Sequence, residues 1–123
     1  MKKFVFTNEK YQAIKEKEYD RLKLDMKNVD KEIDKAAAAL AALGEKFDAE
    51  RAAFDEACRL GVGAGELTAY QGYFDFLQEQ RAKEEERLSA LLARKQELTD
   101  ALVRVNNELR VLADMRAEQY LEY

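Results

Sequence analysis

The sequence predicts an all-α protein, specifically an antiparallel two-helix coiled-coil hairpin. The 123 residues include no proline and 37% charged residues, a composition typical of long helices. In both halves of the chain, apolar residues recur at alternating spacings of three and four. Three glycines at alternate positions within 61–65 interrupt the pattern near mid-chain, and glycine weakens helices. We therefore expect a single domain over 1–123, with a helix over 3–59, a turn over 60–65 and a helix over 66–123.

In the first half, a regular coiled-coil seam begins at Leu22. Its expected positions are Leu22, Met26, Val29, Ile33, Ala36, Leu40, Leu43, Phe47, Glu50, Phe54 and Ala57. Glu50 is the one polar residue among them. Before Leu22 the apolar residues keep no clear helical phase, which predicts either fraying or a partner at this end.

The second half has one unbroken register of threes and fours. Its expected seam positions are Leu67, Tyr70, Phe74, Leu77, Arg81, Glu84, Leu88, Leu91, Lys95, Leu98, Leu102, Val105, Leu109, Leu112, Arg116, Gln119 and Tyr123. Polar residues within this register, such as Arg81, Glu84 and Lys95, weaken a seam while fixing its alignment.

Folding the chain back at residue 62 or 63 brings the two apolar patterns together. The facing pairs then include Phe54 with Tyr70, Phe47 with Leu77, Ile33 with Leu91, Met26 with Leu98, and Leu22 with Leu102. The competing architecture is one continuous helix that dimerises. It would have to carry the mid-chain glycines through a coiled-coil core, so the hairpin is favoured.

The residue types that most enzymes need are scarce. The chain has no histidine, and its single cysteine, Cys58, has neither an activating base nor a second thiol with which to bind a metal. No glycine-rich phosphate loop follows a strand. The sequence therefore predicts a protein that is not an enzyme and that uses no cofactor or metal.

Charge and hydropathy restrict the partners. A net charge of −4 argues against nucleic acid, which normally requires a basic surface. No apolar run approaches the roughly 20 residues of a membrane-spanning helix, so no membrane insertion is expected. A single cysteine fits the reducing cytoplasm, where we expect the protein to be located.

Several short motifs occur in a characteristic order. Phe4 and Phe6 alternate before Asn8-Glu9-Lys10, the glycine-containing turn follows at mid-chain, and the run Leu67, Tyr70, Tyr73-Phe74 and Leu77 comes after it. A late segment spans residues 110–116. In the order and spacing of these motifs the chain resembles the FliJ family of bacterial flagellar type III export proteins, over nearly its whole length.

The resemblance implies a stalk-like coiled coil, located peripherally at the flagellar basal body on the inner face of the cell membrane. It implies three partners: the hexameric flagellar export ATPase, bound through the terminal half; the cytoplasmic domain of the export gate, bound near the turn; and export chaperones, which the protein would escort. The alternatives are an ATP-independent two-helix holdase chaperone and a structural coiled-coil spacer. A holdase usually has an open apolar tip or added strands, and the sequence shows no strand segment.

The expected gate-binding residues are Tyr73, Phe76 and Leu77. Tyr73 and Phe76 fall outside the seam, where a two-helix protein cannot bury them, and exposed aromatic residues often anchor partners. The resemblance points to positions matching Tyr73 and Leu77. The alternative is that the two rings fold over the edge of the seam.

A second set of aromatic and apolar residues lies near the two chain ends. The expected contacts with the ATPase ring are Phe4, Phe6, Tyr11, Leu112, Tyr120 and Tyr123. This expectation depends on the surplus of aromatic residues there and on the resemblance. The alternative is that these rings merely close the end of the seam.

Overall fold

The computed structural model describes residues 4–123 and contains two long helices. Helix α1 spans Glu9–Leu60 and helix α2 spans Ala64–Glu122. Over residues 4–123 there is no strand and no third helix. The helices pair in antiparallel fashion, since residues early in α1 contact residues late in α2. The prediction of an all-α, two-helix hairpin is confirmed.

The start of α1 differs from the prediction. Residues 4–8 are not helical, so the predicted start at residue 3 was wrong for these residues, and residue 3 itself lies outside the described part of the chain. Asn8 directly precedes the first helical residue, and its carbonyl oxygen accepts a hydrogen bond from the Gln12 N–H at 2.9 Å. Asparagine is favoured at this capping position, and the acidic Glu9 suits the first turn of a helix.

The turn is shorter than the predicted 60–65, because one glycine is enough to end α1. Gly61 has a φ of 99°, a left-handed conformation that glycine adopts without steric cost, and its N–H donates to the Cys58 carbonyl at 3.3 Å. The next helix begins at Ala64, so Gly65 lies inside α2. Three glycines suggested a longer break than the backbone needs.

Contacts divide the chain into two units, and both helices contribute to each. The terminal unit comprises Met1–Asp30 and Ala93–Tyr123, of which residues 4 onward are described, and the turn unit comprises Lys31–Leu92.

The core of the terminal unit consists of four buried side chains, Phe6, Leu98, Val105 and Leu112. Two ion pairs join the helices beside it. The Lys95 ammonium lies 2.8 Å from the Asp30 carboxylate, and the Lys15 ammonium lies 2.6 Å from the Glu108 carboxylate. Lys95 was a predicted polar seam residue, and its partner on the opposite helix gives it the register-setting contact expected of such a residue.

The turn unit is held by a layer of aromatic rings. Phe54 packs against Tyr70 with ring centroids 5.1 Å apart, as the predicted register requires. Phe74 lies between Phe47 and Phe54, at 5.2 Å and 5.9 Å. Edge-to-face and tilted aromatic pairs at these distances add stability beyond the area that they bury. Leu77 is buried nearby.

Most predicted seam positions are buried or half-buried, including all eleven of the first helix. Four positions of the second helix are exposed, and for these the prediction was wrong: Leu67, Arg81, Arg116 and Tyr123. Leu67 and Tyr123 lie near the two ends of α2, where little of the other helix covers them. Arg81 forms an ion pair with Glu85 of its own helix at 3.0 Å instead of entering the seam.

We expect Leu98→Ala to lower the free energy of unfolding by about 2–5 kcal/mol, because it leaves a cavity at a side chain that is 1% exposed. Leu92→Ala is the matched control, since Leu92 is 50% exposed on the same helix. Its expected effect is below about 0.5 kcal/mol. Urea denaturation followed by circular dichroism measures both, and equal losses would contradict the assigned core.

Acid is expected to weaken the turn unit through Glu32. A hydrogen bond from Lys35 lowers the pKa of the Glu32 carboxyl below its ordinary value, and the Arg87 guanidinium, at 2.5 Å, contributes further. The lowered pKa favours the charged folded form, so this stabilisation is present above the ordinary carboxyl pKa and is lost as pH falls through the folded value. Glu32→Gln should therefore flatten the fall in melting temperature between about pH 6 and about pH 3.

Glu86→Gln is the control for that experiment, because it removes one exposed carboxylate from the same unit. If both variants show the same pH dependence of the melting temperature, then the contacts of Glu32 with Lys35 and Arg87 do not contribute to acid sensitivity.

Candidate partner-binding surfaces

The described residues offer no metal site or membrane-spanning helix. Over residues 4–123 no group of three or more His, Cys, Asp or Glu side chains could hold a metal ion. None of the helices described is long and apolar enough to cross a membrane. Cys58 is a free, exposed thiol. Exposed apolar side chains form two candidate partner-binding surfaces.

The first candidate is the aromatic pair Tyr73 and Phe76, on the part of α2 that follows the turn. Their rings stack on one another, with centroids 6.3 Å apart and planes inclined by 27°. Tyr73 is 38% exposed and Phe76 is 51% exposed, so the rings do not fold into the seam. Helical spacing of three places both side chains on one flank of α2. They form a compact aromatic surface that meets solvent.

Leu77, the third residue of the predicted gate surface, occupies a different environment. It is 3% exposed and belongs to the core of the turn unit. A partner at the aromatic pair would therefore not touch the Leu77 side chain directly. Leu77 instead holds the part of α2 that carries the pair against α1.

The six residues predicted at the chain ends separate into core and surface. Phe6 and Leu112 are buried, and Phe4 packs edge-to-face on Tyr120 and Tyr123 with centroids 5.2 Å and 5.6 Å apart. To this extent the rings close the end of the seam, which was the alternative interpretation. Tyr11, Tyr120 and Tyr123 nevertheless remain largely exposed.

A groove of about 770 Å³ runs along α2 in the terminal unit, and we call it the terminal groove. Tyr11 lines one side, and Val103, Val111 and Met115 supply much of its apolar surface. The polar residues that line it are Asn8, Asp100, Arg104, Asn107 and Glu108. Sequence analysis identified Tyr11 and Leu112 here but missed the other apolar residues.

A signal for the terminal groove is nevertheless present in the sequence. Val103, Val111 and Met115 lie outside the seam at spacings of eight and four, which place successive side chains close together on a helix. This second apolar stripe has a different phase from the seam, so the seam register does not predict it.

One ion pair between the two helices lies beside the terminal groove. Glu108 lies 2.6 Å from Lys15, and this contact raises the pKa of Lys15 above its ordinary value. The Lys15 ammonium, which is charged at neutral pH, neutralises the carboxylate. The groove presents an apolar strip with a mixed polar border, which is the kind of surface that accepts the apolar face of a helix.

Comparison with known proteins adds no relative: no family model, curated protein or solved structure matches this chain. The structure itself defines the class as a two-helix coiled-coil hairpin. Its distinguishing features are the exposed aromatic pair in the turn unit and the apolar terminal groove in the terminal unit.

We expect the double variant Tyr73→Ala, Phe76→Ala to keep its helicity and to lose less than about 1 kcal/mol of unfolding free energy, because neither ring is in the core. Leu77→Ala is the contrasting variant and should cost about 2–5 kcal/mol. Thermal and urea unfolding measure these differences. A double variant that unfolds would show that the pair is structural.

Proposed function

We propose that this protein is a non-enzymatic component of the bacterial flagellar type III export apparatus. In this role it is a stalk-like coiled coil that couples the export ATPase ring to the export gate and escorts export chaperones. Three features support the proposal: the hairpin fold, the two exposed apolar surfaces and the resemblance of the sequence motifs to the FliJ family.

The observation that carries the proposal is the exposed stacking of Tyr73 and Phe76. Two aromatic rings held on one flank of a helix offer a large and rigid contact area at little further entropic cost. They lie just after the turn, where the resemblance locates the contact with the gate. We assign this pair to the cytoplasmic domain of the gate, with Leu77 as the buried support beneath that part of the helix.

The terminal groove is our candidate for the ATPase contact. Tyr11 borders it, and Val111 and Met115 expose apolar surface along it. A helical segment at the central opening of the ATPase ring could bury this surface in the manner of a helix in a groove. Tyr120 and Tyr123, exposed at the end of the same unit, would extend the contact. Such a protein acts at the inner face of the membrane as a peripheral component.

One observation favours a second function, that of an ATP-independent holdase. The terminal groove leaves an apolar strip open, and such a surface can hold unfolded segments. A holdase would suppress aggregation of an unrelated unfolded protein, and its activity would depend on Val111 and Met115. The export proposal instead requires saturable binding to two folded partners.

Binding measurements with the gate domain and the ATPase of the same organism test the export proposal. We expect Tyr73→Ala, Phe76→Ala to weaken gate binding by about 30-fold or more, since truncation of an interface anchor commonly costs about 2 kcal/mol. The same variant should bind the ATPase normally, because the terminal groove belongs to the other unit. Surface plasmon resonance with purified proteins gives both affinities.

Leu92→Ala is the matched control for that experiment, as it removes an exposed apolar side chain of the turn unit away from the pair. It should leave both affinities unchanged. If the unaltered protein binds neither the gate domain nor the ATPase, the export proposal is wrong. If it binds both and the double variant binds the gate equally well, the assignment of the gate surface is wrong.

A further inference from the structure

Residues 4–8, which we call the strap, lie against the last turns of α2. Phe6 is 2% exposed, and the Arg116 guanidinium lies over its ring at 5.9 Å from the centroid. Phe4 packs edge-to-face on Tyr120. The Thr7 backbone N–H donates to Gln119 Oε1 at 3.3 Å, and Gln119 Nε2 donates to the Thr7 hydroxyl at 3.2 Å.

The strap is held by side chains and not by regular structure. It is neither helix nor strand, and its hydrogen bonds to α2 all involve the single side chain of Gln119. Fixing a segment without regular structure costs conformational entropy, and the contacts with α2 that oppose this cost are made mainly by the two phenylalanine rings and by Gln119. Segments of this kind open far more often than the helices that they cover.

The surface beside the strap has room for aromatic rings. A groove of about 570 Å³ is lined by Phe4 of the strap and, on α2, by Ala113, Ala117 and Tyr120 among others. The small side chains of the two alanines leave the space that forms this groove. If the strap leaves, the burial site of Phe6 adjoins this groove as uncovered apolar surface, with Arg116 above it.

The strap itself shows which ligand chemistry this surface accepts. Phe4 and Phe6 face α2, whereas Val5 between them is 67% exposed, which is the alternation of an extended chain. Arg116 favours an aromatic ring over an aliphatic side chain, because its charge interacts with the ring face. Gln119 then forms hydrogen bonds with the backbone N–H and the hydroxyl of Thr7, the residue after Phe6.

We propose that the strap is a displaceable internal ligand, and that the surface of α2 beneath it binds an extended segment of a protein partner. That segment carries two aromatic residues separated by one residue and followed by serine or threonine. The partner must displace the strap, so the strap lowers the affinity of α2 for the partner segment. This inference goes beyond the export role and requires no export protein for its test.

The test uses a synthetic peptide with the sequence of residues 4–8 as its probe. The full-length variant Phe4→Ala, Phe6→Ala has a weakened strap and should bind the peptide at least tenfold more tightly than the unaltered protein, in which the strap competes. Binding is measured by NMR from the methyl signals of Ala113 and Ala117. A peptide with alanine in place of both phenylalanines should cause no shifts.

Two further variants keep the test decisive even if the loss of both rings disturbs folding. Gln119→Ala keeps both rings and removes the hydrogen bonds to the strap, so hydrogen exchange at Thr7 should accelerate and peptide binding should tighten. Val5→Ala, which alters an outward side chain of the strap, should change neither. Equal peptide affinity in the unaltered protein and in both loosened variants, or shifts with the alanine peptide, would overturn the proposal.

Discussion

Over residues 4–123 each of the two helices has one helical neighbour, so each can bury only one stripe of side chains. This constraint explains why the core is a thin line of residues such as Leu98 and Val105 and not a three-dimensional cluster. It also means that any large apolar side chain outside that stripe must meet solvent or a partner. The exposed aromatic pair and the terminal groove are consequences of this geometry.

A thin seam also makes alignment of the helices important, because a shift of one residue would turn apolar side chains outward. The aromatic layer around Phe54 and Phe74 resists such a shift, because the shift would separate rings of α1 from the rings of α2 on which they pack. In the terminal unit, Lys15 with Glu108 and Lys95 with Asp30 resist it through charge. Ion pairs that water can reach contribute little to stability, so the larger effect of these two pairs is to penalise alternative registers.

The sequence predicted the helices and their register well, because a period of 3.5 residues reports directly which stripe is buried. The prediction failed for residues that do not belong to the seam. Phe4 and Phe6 were grouped with a loose helical pattern, although their spacing of two belongs to an extended segment, and the strap is that segment. The terminal groove was missed because Val103 and Val111 contribute nothing to the seam.

The position of Tyr73 and Phe76 is the strongest argument for a binding role. Other outward positions nearby hold residues such as Gln71, Asp75 and Glu79, which remain hydrated at no cost. An exposed aromatic pair does not strengthen the seam and promotes aggregation. Its two rings stack on one another, so the helix presents them as one contiguous aromatic surface. A partner that covers the pair would bury both rings together, and aromatic side chains of this kind carry much of the binding energy at protein interfaces.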